Sequence, residues 1–336
     1  LPKADKEQFY LTLDLPQGTN IEKTDSVSHA FENKILQQEH ILGIESFIGE
    51  SQVIDFNGLF RGSADRHNEN QATLKINLTH PTERSETSEE IAYGLRQQLL
   101  QFRKEYPDAV FRLVEDPPGP PVLSTFLLKV RGGNEETREK IAKDLYQEIR
   151  NIKEVVDIDT SIPERSVNGL YKIQTDKASL LGISSQEIAT ALRAALSGTP
   201  LGLYHRAAED GTRQPEQEYI RLRFAKGNRD QQTDLAKIHV RSQNGEMVPL
   251  TELLEKREGS LETFILSDER ERATYISAEM GDRSIIYAVF DLFPKLFAYA
   301  LPDQNGKIVS WSPLKIEYED QKTSERYSVS IDGEWK

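Results

Sequence analysis

The sequence predicts an α+β chain built from two split βαβ units, the second of them interrupted by an insertion. Three observations carry this. From residue 9 to 115, alternating apolar stretches and capped amphipathic helices follow in the order β, α, β, β, α, β, the ferredoxin-like arrangement. A further βαβ pattern at 125–160 and another at 272–332 flank a compositionally different stretch at 164–262, which reads as a third, α+β domain inserted between halves of the second unit. Between the first two units stands Pro117-Pro118-Gly119-Pro120-Pro121, which can continue neither strand nor helix and reads as a stiff linker.

Each element has a local reason. Phe9, Leu11, Leu13 and Leu15 share one face of a strand that ends at Pro16-Gln17-Gly18. Thr19-Asn20-Ile21-Glu22 matches a capping box and opens a helix at about 20–38, followed by strands at 41–50 and 72–79. Thr87-Ser88-Glu89-Glu90 is a second box; behind it Ile91, Leu95, Leu99, Phe102 and Tyr106 recur at helical spacing, and a strand at 109–115 alternates Phe111, Leu113 and Glu115 against Val110, Arg112 and Val114. In the second unit Phe126, Leu128 and Val130 mark a strand, Gly132 and Gly133 a turn, and Asn134 caps a helix carrying Ile141, Leu145, Ile149 and Ile152. The insertion has strands near 168–175 and 218–224, the box Ser184-Ser185-Gln186-Glu187 before a helix near 185–197, and Asn244-Gly245 as a hairpin turn. Ile285 to Leu301 is the most apolar window, but Asp291, Pro294 and Lys295 make it a buried helix near 284–300 rather than a membrane span. Asn305-Gly306 reads as a turn within 303–330.

Composition narrows function by exclusion. The 336 residues suffice for two or three domains, and without any Cys there can be no disulfide scaffold, thiolate zinc site, Fe–S cluster or thiol nucleophile. With 42 Lys and Arg against 55 Asp and Glu, the net charge of −13 has the wrong sign for a phosphate-backbone surface, so nucleic acid is not expected as a partner. The six histidines show no paired metal-ligand spacing and no Ser sits in a nucleophile elbow, so no catalytic residue, metal ligand or cofactor site is assigned. Asp157 and Asp159, two apart on a strand, read as a solvated edge rather than a metal site. The stretch Gly49 to Asn70 is polar, holds Gly49, Gly58 and Gly62, and still carries Phe56, Leu59 and Phe60, as expected for a mobile, adaptable binding loop. Phe47 and Phe111 fit either a core or a pocket.

Three runs carry a family resemblance: Phe9 through Thr19, Lys177-Ala178-Ser179-Leu180-Leu181-Gly182-Ile183-Ser184, and Val240 through Leu250 with its Asn244-Gly245 turn. They resemble the second large periplasmic loop of resistance-nodulation-division efflux permeases, and the likeness spans the chain from Leu1 to Lys336. It accounts for the absent initiator Met and the abrupt ends, which read as a piece of a larger protein. The resemblance implies a first porter subdomain at 1–121, a second at 122–163 and 263–336, and a docking subdomain at 164–262. It implies a proton-driven multidrug or amphiphile pump of the inner membrane, with this segment periplasmic. The partners implied are amphiphilic small molecules, a periplasmic adaptor (membrane fusion) protein and an outer-membrane channel. A homotrimer is implied for the complete pump and a monomer for this segment alone. By position, Phe47, Phe56, Leu59, Phe60, Arg61, Phe111 and Leu113 fall where such pumps hold substrate. A heavy-metal exporter is the alternative, set lower because soft Cu(I) or Ag(I) ions need clustered thioethers and the chain has only Met247 and Met280. The segment 303–330 reads as an insertion relative to the multidrug pumps.

Overall fold

The computed structural model describes residues 5–115, 122–162, 167–206, 216–223, 235–260, 265–281, 283–302 and 305–333; the proline-rich linker expected at 117–121 lies outside them. The chain divides into two compact units, Leu1–Glu164 with Thr263–Lys336, and Arg165–Glu262. The first unit contains two ferredoxin-like sandwiches.

The first sandwich runs β1 (Gln8–Asp14), α1 (Ile21–Ile35), β2 (Ile41–Ile48), α2 (Phe56–Arg61), β3 (Gln71–Leu78), α3 (Ser88–Glu105) and β4 (Val110–Val114). Its antiparallel sheet has the order β2-β3-β1-β4, with Leu11 opposite both Leu74 and Leu113. Alternation along β1 drives Phe9, Leu11 and Leu13 under the helices, where they meet Phe31 of α1 and Phe102 of α3. The Thr87 box forms as read, but α1 is capped one residue later than expected: the Asn20 side chain, not that of Thr19, accepts from the Lys23 N–H.

The second sandwich starts with β5 (Phe126–Gly132), α4 (Glu135–Arg150) and β6 (Val155–Thr160). The chain then enters the inserted unit through β7 (Val167–Ile173), α5 (Thr175–Leu180), α6 (Ser185–Leu196), β8 (Thr199–Arg206), β9 (Glu216–Leu222), β10 (His239–Arg241), β11 (Met247–Pro249), α7 (Leu250–Leu253) and β12 (Leu254–Ser260). It returns as β13 (Ser267–Asp268), β14 (Glu271–Met280), α8 (Ile285–Ala298), β15 (Gly306–Ser312), β16 (Lys315–Asp320) and β17 (Arg326–Gly333). Strands from both halves share one sheet: β6 pairs β14, and β14, β5 and β17 follow in order, the same ferredoxin-like arrangement as in the first sandwich. A single core joins Leu128 and Ile141 from the first half to Ile276, Leu292 and Val329 from the second. Gly133 sits at φ 52°, and a Cβ there would lie 2.1 Å from the Tyr327 ring, so the turn between β5 and α4 requires glycine.

Within the segment expected as an insertion, β15 and β16 form a strand pair that extends this sheet, with β16 on β17 and β15 outermost. Its tight turn is Pro313-Leu314, between the paired Ser312 and Lys315, whereas Gly306 of the expected Asn305-Gly306 turn begins β15. Helix α8 is half-buried rather than buried: Ala288, Leu292 and Leu296 face the core, while Tyr287 and Phe290 are exposed. In the inserted unit β7 pairs β12, β8 pairs β9, and β10 and β11 form the hairpin around Asn244-Gly245, with Gly245 at φ 87°.

Phe111 settles as core. It is fully buried, with ring centroids 5.6 Å from Phe31 and 5.3 Å from Phe102. Truncating Phe111 to Ala should therefore cost about 3–5 kcal/mol of stability, whereas Phe56→Ala, at an exposed ring, should cost under about 0.5 kcal/mol; chemical denaturation of the two variants checks both.

Candidate functional site

Alternation has a second consequence. The side chains of β1 that do not enter the core, Tyr10, Thr12 and Asp14, project from the sheet face that the helices leave bare, and Arg112 of β4 joins them between the buried Phe111 and Leu113. That face looks onto β6 and β14 of the second sandwich, and the two meet through charge. Arg112 donates to Asp14 on its own sheet and, at 2.8 Å, to Asp159 of β6. Arg96, on the inner side of α3, donates through Nε to Asp157 at 2.8 Å and through Nη1 to Glu115 at 3.0 Å. Arg61, the last residue of α2, reaches Glu279 of β14 at 2.8 Å and the Glu115 carbonyl at 3.2 Å; Thr125 also donates to Glu279. In all three crossings the guanidinium comes from the first sandwich and the carboxylate from the second. A planar guanidinium can serve two acceptors at once, which lysine cannot do in the same fixed geometry.

These groups are largely out of water. The Arg96 and Asp157 side chains are 8% and 5% exposed, so removing either partner would strand a buried charge. Burial alone would lower the Arg96 guanidinium, but Asp157 and Glu115 outweigh it and hold it above its ordinary value. Burial likewise opposes Arg112, and Asp159 and Asp14 hold it up. For Asp157 the larger effect is burial, which pushes its carboxyl up against the pull of Arg96 and Arg103. Asp157 also sits at φ 50° beside the register slip in the β6–β14 pairing, a backbone state that Asp tolerates better than most residues. The expected solvated edge is thus corrected at Asp157, which is buried in the contact, whereas Asp159 pairs with Arg112 but stays 41% exposed.

The stretch from Gly49 to Asn70 also differs from expectation. It is a pinned strap, not a loose loop. Asp55 caps α2 by accepting from the Gly58 N–H and also accepts from the Tyr10 hydroxyl at 2.8 Å, and Gly62 ends the helix at φ 71°. Arg66 then ties the strap to the ends of the two central strands, meeting Asp14 of β1 at 3.0 Å and donating to the carbonyls of Leu13 and Ala72 and to the Thr73 hydroxyl. The anchoring is polar, so a count of apolar residues misses it. Beneath the strap lies a cavity of about 160 Å³, lined by Tyr10, Thr12, Arg61, Arg66, Arg112 and Glu279 among others.

Of the residues singled out from sequence, Arg61 lies squarely in this site. Phe56, Leu59 and Phe60 stand on α2 but face outward, 67%, 62% and 49% exposed, with the Phe56 and Phe60 rings edge to face at 5.5 Å. Phe47 lies on β2 opposite Thr73, which lines the cavity, though Phe47 does not. The side chains of Phe111 and Leu113 are core, and only the neighbourhood of Leu113 borders the cavity. Sequence reasoning missed Arg96, Arg112 and Glu279. Arg96 carried a usable signal, because it falls inside the apolar stripe of Ala92, Leu95 and Leu99, where a charge requires a buried partner. Among the described residues no three His, Asp or Glu side chains converge as metal ligands, and Met280 is buried in the second core while Met247 is exposed in the inserted unit.

A double-mutant cycle on Arg61→Gln and Glu279→Gln, read by denaturant unfolding, should give a coupling energy of about 1–3 kcal/mol because the pair is buried. A coupling indistinguishable from zero would show that the crossing contributes nothing.

The model of the AcrB/AcrD/AcrF family matches residues 1–329. No curated protein matches the chain in sequence. Two crystal forms of a heavy metal efflux pump align over 100% of the chain with a TM-score of 0.65, form II at 13% identity and form I at 14%. The chain spans 31% of that pump's length. Likeness at this identity shows the fold alone. Among the described residues no helix is long and apolar enough to cross a membrane.

Proposed function

The chain belongs to the AcrB/AcrD/AcrF family of efflux transporters, and from that premise we propose that it is the periplasmic substrate-binding and conduit portion of a proton-driven efflux pump of the inner membrane. The observation that carries this reading is the cleft: two independently cored sandwiches meet through Arg61–Glu279, Arg96–Asp157 and Arg112–Asp159, over a polar cavity roofed by α2. Two bodies with separate cores can part without unfolding, and contacts made by charge can be remade in water. The cleft is the route by which substrate enters, and the ion pairs are its closed state. The inserted unit, 165–262, serves as the docking subdomain toward a periplasmic adaptor and an outer-membrane channel, and three copies of the complete pump assemble as a homotrimer. No step in this reading makes or breaks a covalent bond, so the chain needs no catalytic group.

For cargo, the reading favoured is amphiphilic small molecules. Its support is α2, whose inner side borders the cavity at Gly58 and Arg61 while its outer side presents Phe56, Leu59 and Phe60 to solvent at the mouth. Export of a heavy-metal cation is the second reading, favoured by the heavy metal efflux pump that shares the fold. Growth inhibition of cells with and without the complete transporter, across amphiphiles and metal salts, separates the two. If the rings of α2 contact apolar cargo, Phe56→Ala and Phe60→Ala should each remove about 1–3 kcal/mol of contact, seen as lost efflux of amphiphiles with unchanged thermal stability of this segment. Unchanged efflux of every compound would take α2 out of the substrate path, and protection against metal salts alone would favour the second reading.

A further inference from the structure

A second concavity, of about 610 Å³, opens where the end of α3 and β4 meet the end of α4 and β6. It shares Arg112 and Asp157 with the cavity beneath α2 but differs in charge. Its lining holds four guanidinium groups, Arg96, Arg103, Arg112 and Arg150, against two carboxylates, Glu154 and Asp157. In a chain of net charge −13 a wall with that excess is unexpected. Arg96 and Arg112 are spoken for by the crossings. Arg103 and Arg150 are held less fully: Arg103 pairs with Asp157 at 3.8 Å and donates to the Phe111 carbonyl but keeps its side chain 40% exposed, and Arg150 lies over the Tyr146 ring at 6.0 Å and makes no ion pair among the described residues. Beside them the groove is apolar and open, with Leu100 and Val110 51% and 41% exposed and Tyr146 part-buried. Its size suits a small ligand, and an apolar surface with a few placed charges suits an amphiphile.

We infer that this groove takes amphiphilic anions, a carboxylate or sulfonate meeting Arg103 and Arg150 while an apolar body lies along Leu100, Val110 and Tyr146. This rests on the conduit reading and adds to it a class of cargo and the residues that select it. Guanidinium suits the task because it offers a carboxylate or sulfonate two parallel donors.

The test uses two fluorescent probes with the same ring system, anilinonaphthalene sulfonate and the neutral phenylnaphthylamine, titrated into the chain. The sulfonate should bind more tightly, and its preference should shrink as salt is raised. In Arg103→Gln/Arg150→Gln its Kd should rise about tenfold while that of the neutral probe stays put. Arg150→Gln alone, at an exposed position, should give part of the same rise, and it covers the case in which the double variant folds poorly. Equal binding of both probes by the unaltered chain, or sulfonate binding unmoved in both variants, would overturn the inference while leaving the cleft as a substrate path. If the unaltered chain binds neither probe, the inference fails and the amphiphile reading fails with it.

Discussion

Arginine–carboxylate crossings, three of them hydrogen-bonded and a fourth, Arg103–Asp157, at 3.8 Å, hold the two sandwiches of this chain against each other. An apolar interface of the same extent would weld the sandwiches, since each buried square ångström of carbon adds stability that must be surrendered on opening. Buried ion pairs behave differently. Their Coulomb gain is set against a desolvation cost of similar size, so the closed arrangement is specific in geometry and modest in net energy. The signs are segregated as well, with arginines on the first sandwich and acids on the second. Each crossing therefore requires the correct partner surface, and on separation Arg112 and Arg96 would keep Asp14 and Glu115 as partners while the acids of the second sandwich would be left to water.

The rest of the fold serves this contact. Each ferredoxin-like sandwich places its helices on one sheet face and leaves the other for polar side chains, so repeating the architecture provides two walls. The strap through α2 adds a roof, with Arg66 fixing it to the first sheet and Arg61 extending from it to the second sandwich. The anchor and the crossing lie on the same short segment, six residues of chain from Arg61 to Arg66.

The fold was legible because its signals are local. The Thr87 and Ser184 boxes, the Asn134 cap and the alternation of Phe9, Leu11 and Leu13 specify elements within a few residues of themselves, and all appear in place. The site was less legible because it is made by tertiary charge pairing. Arg61 and Glu279 are far apart in sequence, and nothing in either neighbourhood announces the other. The strap was misread for the same reason, since its stability comes from Arg66 and Asp55 rather than from the apolar content that a reader counts. Phe111 could be core or pocket on sequence alone, because an alternating strand does not reveal which of its faces a helix will cover. Asp157 looked solvated because strand alternation cannot anticipate a bulge that turns it inward.

The claim that these crossings hold a separable cleft shut is open to a direct distance measurement. The chain has no native Cys, so spin labels can be placed cleanly at Lys104→Cys on α3 and Lys143→Cys on α4, both exposed. Double electron–electron resonance should show a single narrow distance for the otherwise unaltered chain, a longer and broader distribution for Arg61→Glu, and recovery of the narrow one for the charge swap Arg61→Glu/Glu279→Arg. The same narrow distance in the Arg61→Glu chain would contradict the account.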